Sequence, residues 1–252
     1  MKLIKKLFVK IKSAFSKLKN IKKSTLITIA TNLVIAICIF SVFNMCFSVD
    51  AKVVSSTGYS AIYRGNQSQK NACLMINVYW GTDYIEPMLD VLKEKDVKTT
   101  FFVGGYWASK NEELLKKIIA DGHEIANHGY YHKDQGELGL ERNLEEISLN
   151  HQLIKSLTSL EMNLFAPPSG SYNSYTLEAA EKLGYKTIMW TKDTIDWRDK
   201  DSNLIYQRAT KNMQNGDLIL MHPTKCTFEA LSNIIDTYQN AGFCLTTVSN
   251  TI

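Results

Sequence analysis

The stretch IIADGHEIANHGYYH, residues 118 to 132, decides the fold. A helical run ends at Asp121 and Gly122 follows, where a left-handed helix cap favours glycine. EIAN then reads as a short buried strand that delivers His128 and His132 to a loop. The order of helix, glycine and strand recurs at LGYKT, NGDLI and AGFCL. Strands that are apolar throughout and separated by helices indicate a parallel sheet covered on its outer face.

Working outward, seven such runs are CLMINV (73–78), TTFFV (99–103), EIAN (124–127), LFA (164–166), KTIMW (186–190), DLILM (217–221) and CLTTV (244–248). Helices such as ELLKKIIA, LERNLEEISLNHQLIKSL, SYTLEAAEKL and FEALSNIIDTYQ lie between them. Seven strands in this length predict an α/β fold with barrel-like closure, smaller than an eight-stranded barrel. A doubly wound open sheet is the alternative, but no GxGxxG turn follows any strand.

The charge is unevenly placed. Residues 1–48 hold nine of the 29 basic residues and no acid, leaving 20 basic against 25 acidic residues beyond them. The folded part is thus net negative, which gives no reason to expect nucleic acid as its partner. TLITIATNLVIAICIFSVFNMCFSV, residues 25–49, is uncharged for 25 residues, long enough for a membrane-spanning helix. The lysines before it place residues 1–24 in the cytoplasm and the chain after residue 50 outside the cell membrane, single-pass. Leu3, Leu7, Ile11, Phe15 and Leu18 give the basic segment an amphipathic stripe that suits an anionic leaflet. A cleaved signal peptide is the other reading, since Val49 and Ala51 fit a small-residue cleavage pattern. The length of the apolar run favours an uncleaved signal anchor, because signal-peptide cores run about 7–15 residues. Residues 50–70 are polar and without period, as in a linker, and 71–252 form the domain. Of five cysteines, Cys73, Cys226 and Cys244 lie beyond the span without CxxC spacing, so a structural zinc site is not expected; one disulfide and buried thiols both fit.

In parallel α/β folds the site forms at the carboxyl ends of the strands. Residues there are Asn77, Tyr79 and Trp80 after the first strand; Asn127, His128 and His132 after the third; Pro167, Pro168 and Ser169 after the fourth; Trp190, Asp193, Asp196 and Trp197 after the fifth; and His222 after the sixth. Three of the five histidines share one rim, whereas His123 and His151 read as structural. Trp107, Tyr130, Tyr131 and Tyr172 add to the aromatic residues that could stack on pyranose faces, although most such residues fill a barrel mouth.

GHEIANHGYYH, APPSGSYN, DTIDW and ILMHP, in this order and each at a strand end, resemble successive motifs of the NodB-type polysaccharide deacetylases, carbohydrate esterase family four. NVYWGTDYI and HPTK are most similar to its sporulation-associated, membrane-anchored subgroup. The resemblance implies a distorted (β/α)7 barrel and a hydrolase of C–N bonds other than peptide bonds, one that removes N-acetyl groups from chitin-like or peptidoglycan sugars with a divalent metal, zinc by preference. It implies His128 and His132 as metal ligands, His222 as the acid that protonates the departing amine, and Asp193 or Asp196 as the residue orienting His222. Tyr79, Trp80, Pro168, Tyr172 and Trp197 are the implied substrate contacts.

The first motif departs from the family. Its two aspartates fall on Asn77 and Val78, and the arginine before the fourth-strand prolines falls on Ala166. Asn77 cannot take a proton near neutral pH, and Val78 coordinates nothing. Two histidines alone hold metal weakly or not at all unless Asp83, Asp134 or Asp193 supplies a third ligand. Three functions stay open: metal-assisted N-deacetylation of envelope glycan, a catalytically impaired domain that binds N-acetylated glycan, and an anchored scaffold for an envelope partner.

Overall fold

The computed structural model describes residues 58–252 continuously, together with 25, 27, 28 and 31–37. Residues 31–37 are helical and expose Leu33, Val34, Ile35 and Ile37. Among the described residues no helix is long and apolar enough to cross a membrane. The expected cytoplasmic segment 1–24 and most of the expected span 25–49 lie outside the described residues.

The domain is a curled, all-parallel sheet wrapped by helices. Its strands are β1 (Asn71–Val78), β2 (Thr100–Val103), β3 (Glu124–Asn127), β4 (Leu164–Phe165), β5 (Lys186–Thr187), β6 (Lys192–Asp193), β7 (Asp217–Met221) and β8 (Cys244–Leu245). The helices are α1 (Ile85–Glu94), α2 (Gly105–Lys110), α3 (Glu112–Ala120), α4 (Leu140–Thr158), α5 (Ser174–Lys182), α6 (Ser202–Thr210), α7 (Lys225–Asn240) and α8 (Val248–Thr251). The strand order is β5-β4-β3-β2-β1-β7-β6, with β8 against the start of β1.

The expected closure is therefore only half realised, and the reason lies in KTIMWTKD, residues 186–193. Residues 186–187 pair with β4 at one end of the sheet, and residues 192–193 pair with β7 at the other. One stretch of chain thus serves both ends, and its two halves cannot pair with each other. Ile62 lies along the β5 side of the break: its N–H donates to Thr187 O at 2.8 Å and its own carbonyl accepts from Met189 N at 2.8 Å. CLTTV, expected as a full strand, pairs only at Cys244 and Leu245 and then turns into α8.

The stretch expected as a linker is folded onto the domain from residue 58. Arg64 pairs with the fully buried Asp217 at 2.7 Å, and Asn66 N–H donates to Thr251 O at 2.7 Å. Gly65 and Gly216 meet so closely that a Cβ on Gly216 would lie 2.5 Å from Gly65 O. Residues 50–57 lie outside the described residues.

The four glycines read as punctuation all have positive φ: Gly122, Gly184, Gly216 and Gly242. Three end a helix directly, whereas Gly216 stands in the turn before β7. Alternation along the strands then separates two apolar layers. Leu74, Ile76 and Val78 face the helices in the larger cluster, with Ile85, Met88 and Leu89 of α1. Cys73, Met75, Phe102, Ala126, Ala166 and Leu218 form the smaller cluster inside the curl. The inward-facing series continues to Asn77 on β1, His128 after β3, Leu220 on β7 and His222 just after it, which is why these residues meet at the mouth.

Candidate functional site

The mouth holds a cavity of about 280 Å³ lined by Asn77, Tyr79, His128, His132, Ser169, Gly170, Trp190, Asp193, Trp197, Leu220 and His222. It is small for a ligand pocket, where roughly 300–1,000 Å³ is usual, and suits one sugar ring with its substituent.

His222 is held by Asp196. Its ring Nδ1 lies 2.7 Å from Asp196 Oδ1, and its backbone N–H donates to Oδ2 at 2.6 Å. Thr227, in the first turn of α7, donates its hydroxyl to the same Oδ2. Asp196 is 2% exposed, so its carboxylate is fully used within the fold. Of the two aspartates read from the sequence, this one orients the histidine. Asp193 lines the cavity instead, accepts Ile195 N–H at 2.8 Å, and has its carboxyl pushed above the usual range by burial.

The loop between them is bent sharply. Ile195 has φ 55°, a left-handed conformation that a β-branched residue adopts only under constraint. Thr194 ties it down by donating both its N–H and its hydroxyl to Leu220 O, at 3.2 and 2.9 Å. His132 and Ser169 also have positive φ, each 55°, so three loops at this rim carry backbone strain.

His128 is 1% exposed and its Nδ1 bonds Ala166 O at 2.8 Å. A carbonyl only accepts, so Nδ1 carries the proton and Nε2 keeps its lone pair. The rings of His128 and His132 are 5.1 Å apart at 70°, and Tyr79 stacks on His132 at 3.4 Å. Burial, with His132 adding to it, lowers His128 to about 3; burial lowers His132 to about 4. Both are neutral near pH 7. Their loop is fixed by Glu146 of α4, whose carboxylate accepts from Tyr130 N at 3.0 Å and Tyr131 N at 2.8 Å. Asn127 completes the support, accepting from Gly129 N and Asn150 Nδ2, each at 2.9 Å.

Asn77 is 3% exposed and its Oδ1 has no hydrogen-bond partner. Such an orphaned buried group costs about 1–3 kcal/mol. Val78 does not line the cavity and packs fully buried in the helix-facing layer. Asp83 is exposed ahead of α1, and Asp134 is exposed and caps a 3-10 turn by accepting Gly136 N at 3.1 Å. Neither of these lines the cavity.

The metal can be tested against this donor set. A catalytic zinc takes three protein ligands and a water. Among the described residues no three His, Cys, Asp or Glu side chains stand together so as to hold an ion. Asp193 is a carboxylate of the lining but does not group with the two histidines, and the two neutral imidazoles and one carboxamide that remain do not fit a tightly held divalent metal.

The expected sugar contacts are dispersed. Tyr79 and Trp197 line the cavity, with Trp197 57% exposed at its rim. Trp80 lies against His222, ring centroids 5.0 Å apart. Pro168 is buried beside the lining residues Ser169 and Gly170. Tyr172 is displaced from the cavity, its hydroxyl bonded to Tyr63 at 2.7 Å. His123 accepts Thr99 N–H and His151 bonds Tyr185, both away from the mouth. Nothing in the local sequence marks Thr227 or the Ala166 carbonyl as part of the site. For Glu146 a signal existed: Asn143, Glu146 and Asn150 recur on the inward face of α4, where apolar residues are the rule.

Residues 64–188 match the family model described as polysaccharide deacetylase. YlxY of Bacillus subtilis (strain 168) is 39% identical over 188 residues, 75% of this chain and 59% of that one, so the chain spans less than two thirds of that relative. A peptidoglycan-N-acetylglucosamine deacetylase of Bacillus cereus is 30% identical over 172 residues, 66% of this chain and 80% of that protein. The solved structure of BA3943 from Bacillus anthracis, a CE4 family pseudoenzyme, superposes with a TM-score of 0.74 at 34% identity, covering 76% of this chain and 68% of that one. A mutant of BA3943 is described as having restored enzymatic activity.

Proposed function

Since the chain belongs to the polysaccharide deacetylases of carbohydrate esterase family four, we propose that it is a deacetylase-type domain that binds N-acetylated peptidoglycan sugar and does not hydrolyse it at an ordinary rate. One observation carries the reading: among the described residues no carboxylate joins the two histidines to complete a metal site, and Asn77, which we take to stand in place of the base, is buried with its Oδ1 unpartnered. General-base help is worth about 10²–10⁴ in rate, or roughly 3–5 kcal/mol of barrier. The similarity to BA3943, a pseudoenzyme of the same family, supports it.

A second reading, slow metal-assisted deacetylation, is favoured by the intact pairing of His222 with Asp196, whose carboxylate Thr227 also holds. Co-sedimentation with N-acetylated peptidoglycan, with acetate measured in the supernatant, separates the two. We expect the chain to pellet with the glycan while acetate stays at background. A chain left in the supernatant would end the binding reading, and steady acetate release would select the second.

The same proposal places the domain outside the cell membrane, held by residues 25–49, with the nine lysines of residues 1–48 on the cytoplasmic side. Protease added to intact cells should digest the domain and spare residues 1–24. Protection of the C-terminus would reverse the orientation, and a mature N-terminus at Lys52 would show a cleaved signal.

A further inference from the structure

A chain of hydrogen bonds runs from the outer face of the domain to the loop that carries His128 and His132. Its outer end is Glu161, exposed between α4 and β4: Oε2 lies 2.9 Å from His151 Nε2, and Lys155 of α4 pairs with the other oxygen. His151, also on α4, has its second ring nitrogen, Nδ1, 2.5 Å from the hydroxyl of Tyr185. That hydroxyl accepts from Asn127 Nδ2 at 3.2 Å, and Asn127 Oδ1 accepts from Gly129 N at the start of the loop. His151 lines an outer cavity of about 190 Å³ with Ser148, Gln152, Leu183 and Tyr185, so solvent protons reach its ring, whereas Tyr185 is buried.

The direction of each bond follows from the partners. Asn127 Oδ1 receives both Gly129 N–H and Asn150 Nδ2, which makes Nδ2 the donor toward Ile147 O and Tyr185. Burial pushes the Tyr185 phenol up to about 12, so it keeps its one proton near neutral pH and donates it to His151 Nδ1. Neutral His151 then carries its proton on Nε2 and donates it to Glu161.

A second proton on His151 breaks this order. Nδ1 becomes a donor aimed at an oxygen that already accepts from Asn127, and the Tyr185 proton loses its acceptor in a buried place. The groups facing the ring act in opposite senses. Glu161 favours the protonated ring, Lys155 disfavours it and shares the same carboxylate, and Tyr185, held by Asn127, favours the neutral one. The Glu161 side gains little, because that carboxylate is 60% exposed and screened by water, while the Tyr185 side loses a buried bond.

We propose that Glu161, His151 and Tyr185 form a pH-sensitive relay: a proton taken up by His151 at the outer face sets two donors against each other on the Tyr185 oxygen, weakens its hold on Asn127, and loosens the loop that carries His128 and His132. The device goes beyond glycan binding and is independent of what the cavity holds.

The test is nuclear magnetic resonance of the full chain with nitrogen-15 in its histidine rings and glycine amides, followed from about pH 8 to about pH 5, where histidines usually change charge. His128 and His132 stay neutral over nearly all of that range, since burial lowers them to about 3 and about 4. We expect neutral His151 to carry its proton on Nε2. Once His151 is protonated, the Gly129 amide should exchange with solvent about five- to tenfold faster, after correction for the intrinsic effect of pH, as the weakening of one hydrogen bond gives. The two changes should share one midpoint. In Tyr185→Phe the His151 ring should still titrate while Gly129 no longer responds, and in His151→Gln the Gly129 response should vanish as well. A neutral His151 with its proton on Nδ1, a protonated His151 with Gly129 unchanged, or a Gly129 response that survives either substitution would overturn the proposal. The tautomer and the shared midpoint are read on the unmodified chain, so they decide the matter even if a variant fails to fold.

Discussion

The double variant Asn77→Asp, Val78→Asp is expected to release acetate from N-acetylglucosamine oligomers about 10²-fold or more faster than the unmodified chain, provided zinc is supplied. Asp at 77 places a base in the cavity that Asn77 now lines. Asp at 78 has a harder position, because Val78 is fully buried in the helix-facing apolar layer. A carboxylate left there would be an uncompensated buried charge, costing several kcal/mol. It escapes that cost only if the end of β1 repacks so that residue 78 faces His128 and His132 and takes a metal. The variant should therefore be less stable than the unmodified chain in EDTA and regain stability with zinc, since a ligand that binds only the folded state stabilises it by mass action. Zinc titration followed by thermal melting and by metal analysis reads both effects. A variant that melts at one temperature with and without zinc would show that position 78 cannot reach the histidines.

Asp196→Ala should produce the largest loss of stability at the site. Asp196 accepts from His222 N–H, from the His222 ring and from the Thr227 hydroxyl, while itself 2% exposed. Removing it leaves three donors unpaired in a buried place, a loss of about 3–5 kcal/mol. In a domain of this size, that lowers the melting temperature by roughly 6–20 °C. Asp193→Ala is the control: its carboxylate is half-buried and receives a single backbone donor, so a smaller loss is expected. Equal losses in the two variants would show that Asp196 has no special hold on His222.

The two positions also show how far the sequence could be read. DTIDW placed both aspartates on the rim with His222, but choosing between them required the left-handed Ile195, a backbone state that composition does not reveal. The parallel strands and the glycine-marked turns were legible because a buried strand and a positive φ each constrain residue type locally. The division of residues 186–193 between the two ends of the sheet was not legible, since it rests on partners distant in sequence, Ile62 among them. Polar composition made residues 58–70 resemble a linker, although Arg64 is drawn in by the buried Asp217. That residues 77 and 78 carry no carboxylate could be read directly. That Val78 packs away from the cavity while Asn77 faces it follows from strand alternation once the inward series Cys73, Met75, Asn77 is known.

The central claim is that this cavity binds an acetamido sugar and lacks the means to hydrolyse it. The measurement that reaches it most directly is acetate release from N-acetylglucosamine pentamer by the unmodified full chain with zinc in excess, under conditions where the double variant is active. The account predicts release at background, with the pentamer bound. Turnover near the usual enzymatic range of about 1–10³ s⁻¹ would contradict it, and would mean that another carboxylate supplies the base that Asn77 does not.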